Sequence, residues 1–143
     1  MPSESFEIVE RAHEALNSGD IDALVDLCDD GFLLDMSDRV FNPAVYDGHE
    51  GIRRFYAEVR DVWETYVWEP EELIDMGSQV VALLRSTGRG RESGVEVERE
   101  TAIIWSVQDG RLTALRFYRN RNEALRSRVE AGPGGQSEGA PPS

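Results

Sequence analysis

Val95-Glu96-Val97-Glu98-Arg99-Glu100-Thr101-Ala102-Ile103-Ile104-Trp105-Ser106-Val107 carries the clearest pattern in the chain. Val95, Val97, Ile103, Trp105 and Val107 share one parity, and Glu96, Glu98, Glu100 and Ser106 share the other, with Ala102 and Ile104 as exceptions. A period of two is the mark of a strand with one face on a core and one in water. Arg99 and Thr101 take the inward parity, which is unexpected for a charge.

Working outward, further strands are predicted over 66–75, 79–88 and 111–119, beside 94–107 itself. Met76-Gly77-Ser78, the Gly88–Gly94 stretch and Gln108-Asp109-Gly110 separate them as turns. Upstream, Val9, Ala12, Ala15 and Leu16 repeat at helical spacing, which predicts a helix over 4–18 stopped by Gly19. Asp20 reads as the N-cap of a second helix with Ile21, Leu24, Val25 and Cys28 on its apolar side, ended by Asp29-Asp30-Gly31. A short strand from Phe32 to Ser37 puts Phe32, Leu34 and Met36 on one face and Leu33, Asp35 and Ser37 on the other. Residues 38–48 read as a loop or weak hairpin. His49 opens a third helix carrying Ile52, Phe55, Tyr56, Val59, Val62 and Trp63, and a short helix from Asn122 to Val129 closes the chain. The fold class is α+β: a curved, mostly antiparallel sheet wrapped around about three N-terminal helices. Residues 1–130 form one domain. Residues 131–143, rich in Gly, Pro and Ser, cannot bury enough apolar surface to order and are expected to be a disordered tail.

The chain has 143 residues, an ordinary size for one domain. Its net charge of −13 repels phosphate backbones and anionic membranes, so neither nucleic acid nor a membrane is expected as a partner. The N-terminus lacks a basic-then-apolar leader, and no apolar run approaches the length of a membrane span, so a cytoplasmic protein is expected. Cys28 stands alone, which excludes an intrachain disulfide and a cysteine cluster, and its apolar surroundings read as a small buried hydrophobe rather than a reactive thiol.

His49-Glu50 and His13-Glu14 begin like a zinc-protease motif, but Arg53 and Asn17 stand where the second histidine must be. No metal and no cofactor is expected. His49, after Gly48, reads as a structural residue at a helix start. Gly88-Arg89-Gly90-Arg91-Glu92-Ser93-Gly94 joins strand to strand, so it reads as a hairpin tip rather than a phosphate cradle. Tyr56, Trp63, Trp105 and Phe117 lie on apolar faces and serve either as core or as pocket wall. Arg99, and Arg85 by its alternation with Val81 and Leu83, are read as inward and must find an anion. Asp35 is the opposing charge: the group is either a structural ion pair or an anion anchor in a cavity.

Ala15-Leu16-Asn17-Ser18-Gly19-Asp20-Ile21-Asp22-Ala23-Leu24, Tyr46-Asp47-Gly48-His49-Glu50-Gly51-Ile52-Arg53-Arg54-Phe55-Tyr56, Gln108-Asp109-Gly110-Arg111-Leu112 and the Tyr118-to-Leu125 stretch occur in a familiar order. Together they resemble the nuclear transport factor 2-like superfamily, in its SnoaL-like polyketide cyclase branch. The resemblance implies a cone-shaped fold, an apolar cavity between sheet and helices that takes a small apolar ligand, and often a homodimer through the outer sheet face. It also implies acid/base chemistry of isomerase, cyclase or hydrolase type on a small apolar carbonyl or hydroxyl compound, or ligand binding without chemistry. A dimeric protein-interaction module using the open sheet face is a third reading. The residues of the steroid-isomerase relatives fall on Ala12, Met36 and Ile103, so that chemistry is not expected. Tyr56 matches a cavity-bordering tyrosine. Tyr118-Arg119-Asn120-Arg121 has Asn120 where the cyclases place an acid/base aspartate, and an amide cannot accept a proton as a carboxylate does. Asp35 is left as the expected base. Tyr56, Trp63, Arg85, Arg99, Trp105, Phe117 and Tyr118 are the expected ligand contacts.

Overall fold

The computed structural model describes residues 3–39 and 42–131, with side chains through 127. The elements run α1 (Glu4–Ser18), α2 (Ile21–Leu27), β1 (Cys28–Asp35), β2 (Val45–Asp47), α3 (Gly48–Val62), β3 (Trp63–Asp75), β4 (Gln79–Gly90), β5 (Glu96–Gln108), β6 (Arg111–Tyr118) and α4 (Arg121–Ala131). The expected tail lies outside the described residues from 132 on, and Ala131 is the last residue of α4.

Local chemistry sets the helix ends. Ser3 caps α1 by accepting from the Phe6 amide, and Gly19 closes it at φ 77, a left-handed conformation that favours glycine. Asp20 caps α2 by accepting from the Ala23 amide at 3.1 Å. The second helix ends one residue earlier than expected: Cys28 is extended and opens β1, and Asp29-Asp30-Gly31 belong to that strand. The Cys28 carbonyl takes hydrogen bonds from Arg111 Nη2 at 2.6 Å and from His49 Nε2 at 2.9 Å, which hold this junction against β6 and α3. His49 is thus a structural strut. Trp63, expected on the third helix, is the first residue of β3.

The sheet has the order β2-β1-β6-β5-β4-β3, parallel only between β1 and β6. A flat sheet would hold strands three places apart roughly 14 Å from each other. Trp68 of β3 and Phe117 of β6 nevertheless stack with ring centroids 6.2 Å apart, so the sheet curls over its inner face. Leu34, Ala82, Leu84, Ile103, Trp105, Leu115 and Phe117 cover that concave face and pack with Val9 and Ala12 of α1 and with Ile52 and Phe55 of α3.

Ala102 and Ile104, the two exceptions to the alternation, join Val81 and Tyr118 under Ala124 of α4 in a second cluster on the convex face. The convex face also carries an ion network in which Arg85 meets Glu71 and Glu98, and Arg121 meets Glu71 at 2.6 Å. Among the described residues no helix is long and apolar enough to cross a membrane.

Candidate functional site

The β3-β4-β5 register places Trp68, Ser86 and Arg99 side by side across the sheet, and beyond them Tyr66, Gly88 and Val97. Trp68, Ser86 and Thr101 are buried on the concave side, whereas Val97 and Arg99 lie where β5 has run past the end of β6 and are more open. Along this surface runs a ladder of rings. Trp63 stacks on Tyr66 at 5.5 Å, Tyr66 lies 6.0 Å from Trp68, and Trp68 stacks on Phe117 at 6.2 Å. Phe55 of α3 adds a ring 6.4 Å from Trp68, with Tyr46 of β2 5.4 Å beyond it. Polar tips are set among the rings. The Trp68 indole N–H donates to the Tyr66 hydroxyl at 3.0 Å, and the Ser86 and Thr101 hydroxyls bond each other at 2.7 Å. Burial pushes the Tyr66 pKa up, against the opposing pull of the Trp68 donor and the Arg39 charge, so the phenol stays protonated at neutral pH.

Arg39 enters this surface from the turn after β1. Its amide donates to the Met36 carbonyl at 3.1 Å, and the neighbouring Asp38 carboxylate takes the Arg119 amide at 2.9 Å, tying the turn to the end of β6. The Arg39 guanidinium lies 5.8 Å over the Phe55 ring. Its Nη2 donates to the Asn42 carbonyl at 2.7 Å and to the Tyr46 hydroxyl at 3.1 Å, and that hydroxyl donates to Glu58 at 2.6 Å. Burial and the bond to Glu58 raise the Tyr46 pKa.

At the other end of the core, His13 of α1 accepts the Trp105 indole N–H on Nε2 at 3.1 Å, with the rings edge to face. His13 is 3% exposed, and burial lowers its pKa to about 4, so it is neutral and carries its proton on Nδ1. That Nδ1 has no partner among the described residues. Cys28 is buried, and desolvation pushes its thiol up to about 12 despite the Arg111 charge; it is an inert core residue. A groove of ≈ 1010 Å³ lies between α1 and β3, edged by Glu7, Glu10, Glu14, Glu71 and Glu72. It opens outward, and its five carboxylates outnumber the one lining arginine, Arg11, which makes it a poor seat for an anionic molecule. Among the described residues no three His, Cys, Asp or Glu side chains gather as a metal would require.

The SnoaL-like domain matches residues 9–115. The chain belongs to the SnoaL-like domain family. Solved structures of the same fold include TerC crystallised with polyporic acid (18% identity, 87% of this chain and 97% of that one, TM-score 0.75). An NTF2-like protein from Burkholderia pseudomallei K96243 is 17% identical over 87% of this chain and 96% of its own, with TM-score 0.74. A Mycobacterium tuberculosis protein in complex with estradiol-17beta-hemisuccinate is 16% identical over 84% of this chain and 96% of its own, with TM-score 0.71. No curated protein matches the chain in sequence.

Within this SnoaL-like domain the expected site residues divide. Trp63 and Phe117 stand in the aromatic ladder, and Trp105 stands deeper, on His13. Tyr56 is half-buried on α3, donating to the Gly19 carbonyl at 3.2 Å and accepting from Arg60, so it braces α3 on the α1-α2 turn. Arg99 has the inward parity but is exposed, with no ion pair among the described residues. Arg85 is not inward, because Val81, buried, and Leu83, partly buried, whose parity it shares, lie in the convex-face cluster under α4. Tyr118 also lies under α4, with its hydroxyl on Ser127 at 3.1 Å. Asp35 does not border the interior. It sits beside Arg116 at 3.7 Å on the convex face, opposite in parity to buried Leu34. Burial pushes its carboxyl up, but the Ser37 amide and the Arg116 charge outweigh this and hold it below the usual range. Asp35 and Arg99 neither share a cavity nor meet. The ring surface also holds Arg39, Tyr46, Tyr66 and Trp68, which the sequence reading does not single out. The shared parity of Tyr66 and Trp68 ahead of Glu69 was the available signal.

Proposed function

We propose that this SnoaL-like protein binds a small, flat, mostly apolar molecule on the concave side of its sheet. The observation that carries the reading is the continuous ladder Trp63-Tyr66-Trp68-Phe117, each ring within 6.2 Å of the next, with hydroxyls at its edge. Aromatic faces offer broad contact to a planar ligand, and a few fixed polar tips orient it. Relatives crystallised with polyporic acid and with estradiol-17beta-hemisuccinate support the same conclusion. Binding is favoured over acid/base catalysis by Asp35, because the position of its carboxylate beside Arg116 separates it from the rings. Pairing of two copies through the convex face would leave this site intact, since the site lies on the other side of the sheet.

The test is a panel of planar ring compounds followed by tryptophan fluorescence and thermal unfolding. Saturable quenching and a rise in Tm are expected from at least one compound. Asp35→Asn is expected to bind it with unchanged affinity. A panel that produces no saturable response rejects the proposal, and loss of binding in Asp35→Asn moves the site to the other face.

A further inference from the structure

Arg39 is the one described cation on the ring surface with an unanswered buried donor. Its Nη2 is engaged with the Asn42 carbonyl and the Tyr46 hydroxyl, but its Nε is buried and has no hydrogen-bond partner among the described residues. The carboxylate nearest in the network, Glu58, is reached only through the Tyr46 hydroxyl, so no anion touches the guanidinium directly among the described residues. Buried charged donors without an acceptor are rare and costly, and such a donor marks a place where an oxygen belongs. Tyr66 offers a second donor. Its hydroxyl accepts from Trp68 and gives its own proton to none of the described residues. Both donors border the same rings: Arg39 lies over Phe55, Phe55 abuts Trp68, and Trp68 is bonded to Tyr66.

We infer that the ligand carries an anionic oxygen, received by Arg39 Nε and the Tyr66 hydroxyl, on a planar body laid against Phe55 and Trp68. The inference rests on the binding reading proposed above and adds the ligand class: an aromatic carboxylate or its equivalent. Charge-assisted bonds from a guanidinium in a low-dielectric wall favour an anion over a neutral isostere of the same shape. The protein's net charge of −13 acts against any anion at long range, so specific binding of one needs a local cation of this kind.

The experiment compares 2-naphthoate with methyl 2-naphthoate by calorimetric titration of the full chain. On the wild type the carboxylate is expected to bind about tenfold tighter than the ester. Arg39→Gln is expected to erase that preference and keep ester affinity within about twofold, while Arg116→Gln, on the convex face beside Asp35, leaves the preference unchanged. Tyr66→Phe, a smaller change, weakens the carboxylate alone by about threefold and serves if Arg39→Gln does not fold. An ester that binds the wild type as well as the carboxylate overturns the inference and leaves the binding proposal standing. So does a preference that survives Arg39→Gln, or survives Tyr66→Phe where Arg39→Gln does not fold. If neither compound binds, the inference falls, and the binding proposal is decided by the panel of planar compounds.

Discussion

Asn17 brackets the backbone of Trp68: its Oδ1 accepts from the Trp68 amide at 3.3 Å and its Nδ2 donates to the Trp68 carbonyl at 2.9 Å. A side-chain amide thus occupies the position that a neighbouring strand would take on β3, the edge of the sheet. The same contact fixes the residue at the centre of the ring ladder.

Asn17→Ala is expected to lose both bonds and to leave the Trp68 peptide groups without a partner, at a cost of about 1–2 kcal/mol. Asn17→Asp keeps the acceptor but faces the Trp68 carbonyl with a carboxylate, so it does not restore stability. Urea unfolding and hydrogen exchange at the Trp68 amide check this. Unchanged exchange in Asn17→Ala would show that the bracket contributes nothing.

The fold was legible because its two periodicities are strong where one face is buried. Ile103, Trp105 and Val107 lie in the main core as their parity requires. Where α4 covers the other side, the sheet is buried on both faces and alternation loses its sign; Ala102 and Ile104 break the pattern there, and Arg85 was assigned to the wrong face for the same reason. Asp35 is opposite in parity to Leu34, as the alternation reads, but its expected pairing with inward Arg99 is not what the strand geometry gives: the carboxylate lies on the convex face beside Arg116. Arg39 follows a strand in a turn with no periodicity, so nothing local shows that its guanidinium folds back over Phe55. The Asn17 bracket joins residues 51 positions apart, and a long-range pair of this kind leaves no trace in one sequence.

His13 makes stability depend on pH in a defined window. Its folded pKa of about 4 lies below the unfolded value near 6.5, so the unfolded chain takes up a proton first as pH falls. The stability is complete above pH 6.5 and is lost progressively down to about pH 4, by roughly 3 kcal/mol in total. Carboxylates titrate in part of the same range, so the readout is the difference between the wild type and His13→Leu in urea unfolding at pH 7.5, 5.5 and 4.5. The wild type is expected to lose ground to the variant as pH falls. A constant difference across the three pH values would mean that His13 protonates as easily in the folded protein.

Gly88 is the floor on which the outer end of the ring ladder lies. A Cβ there would stand 2.9 Å from Trp63 Cε3 and 3.1 Å from Tyr66 Cδ1, closer than carbon atoms pack, and these rings are stacked on each other. Gly88→Ala therefore has to displace Trp63, Tyr66 or both, and overpacking of this kind costs about 1–3 kcal/mol. Trp63 is the partly exposed tryptophan of the ladder, so its displacement is expected to move the emission maximum to longer wavelength as the ring meets water. The Trp68–Tyr66 hydrogen bond depends on the same ring position, so binding of a planar ligand should weaken along with the spectral shift. Gly90→Ala is the control: its added carbon meets the Ser93 hydroxyl at the hairpin tip and no ring. A Gly88→Ala protein with wild-type emission and wild-type ligand affinity would mean that the rings do not rest on this strand as a unit.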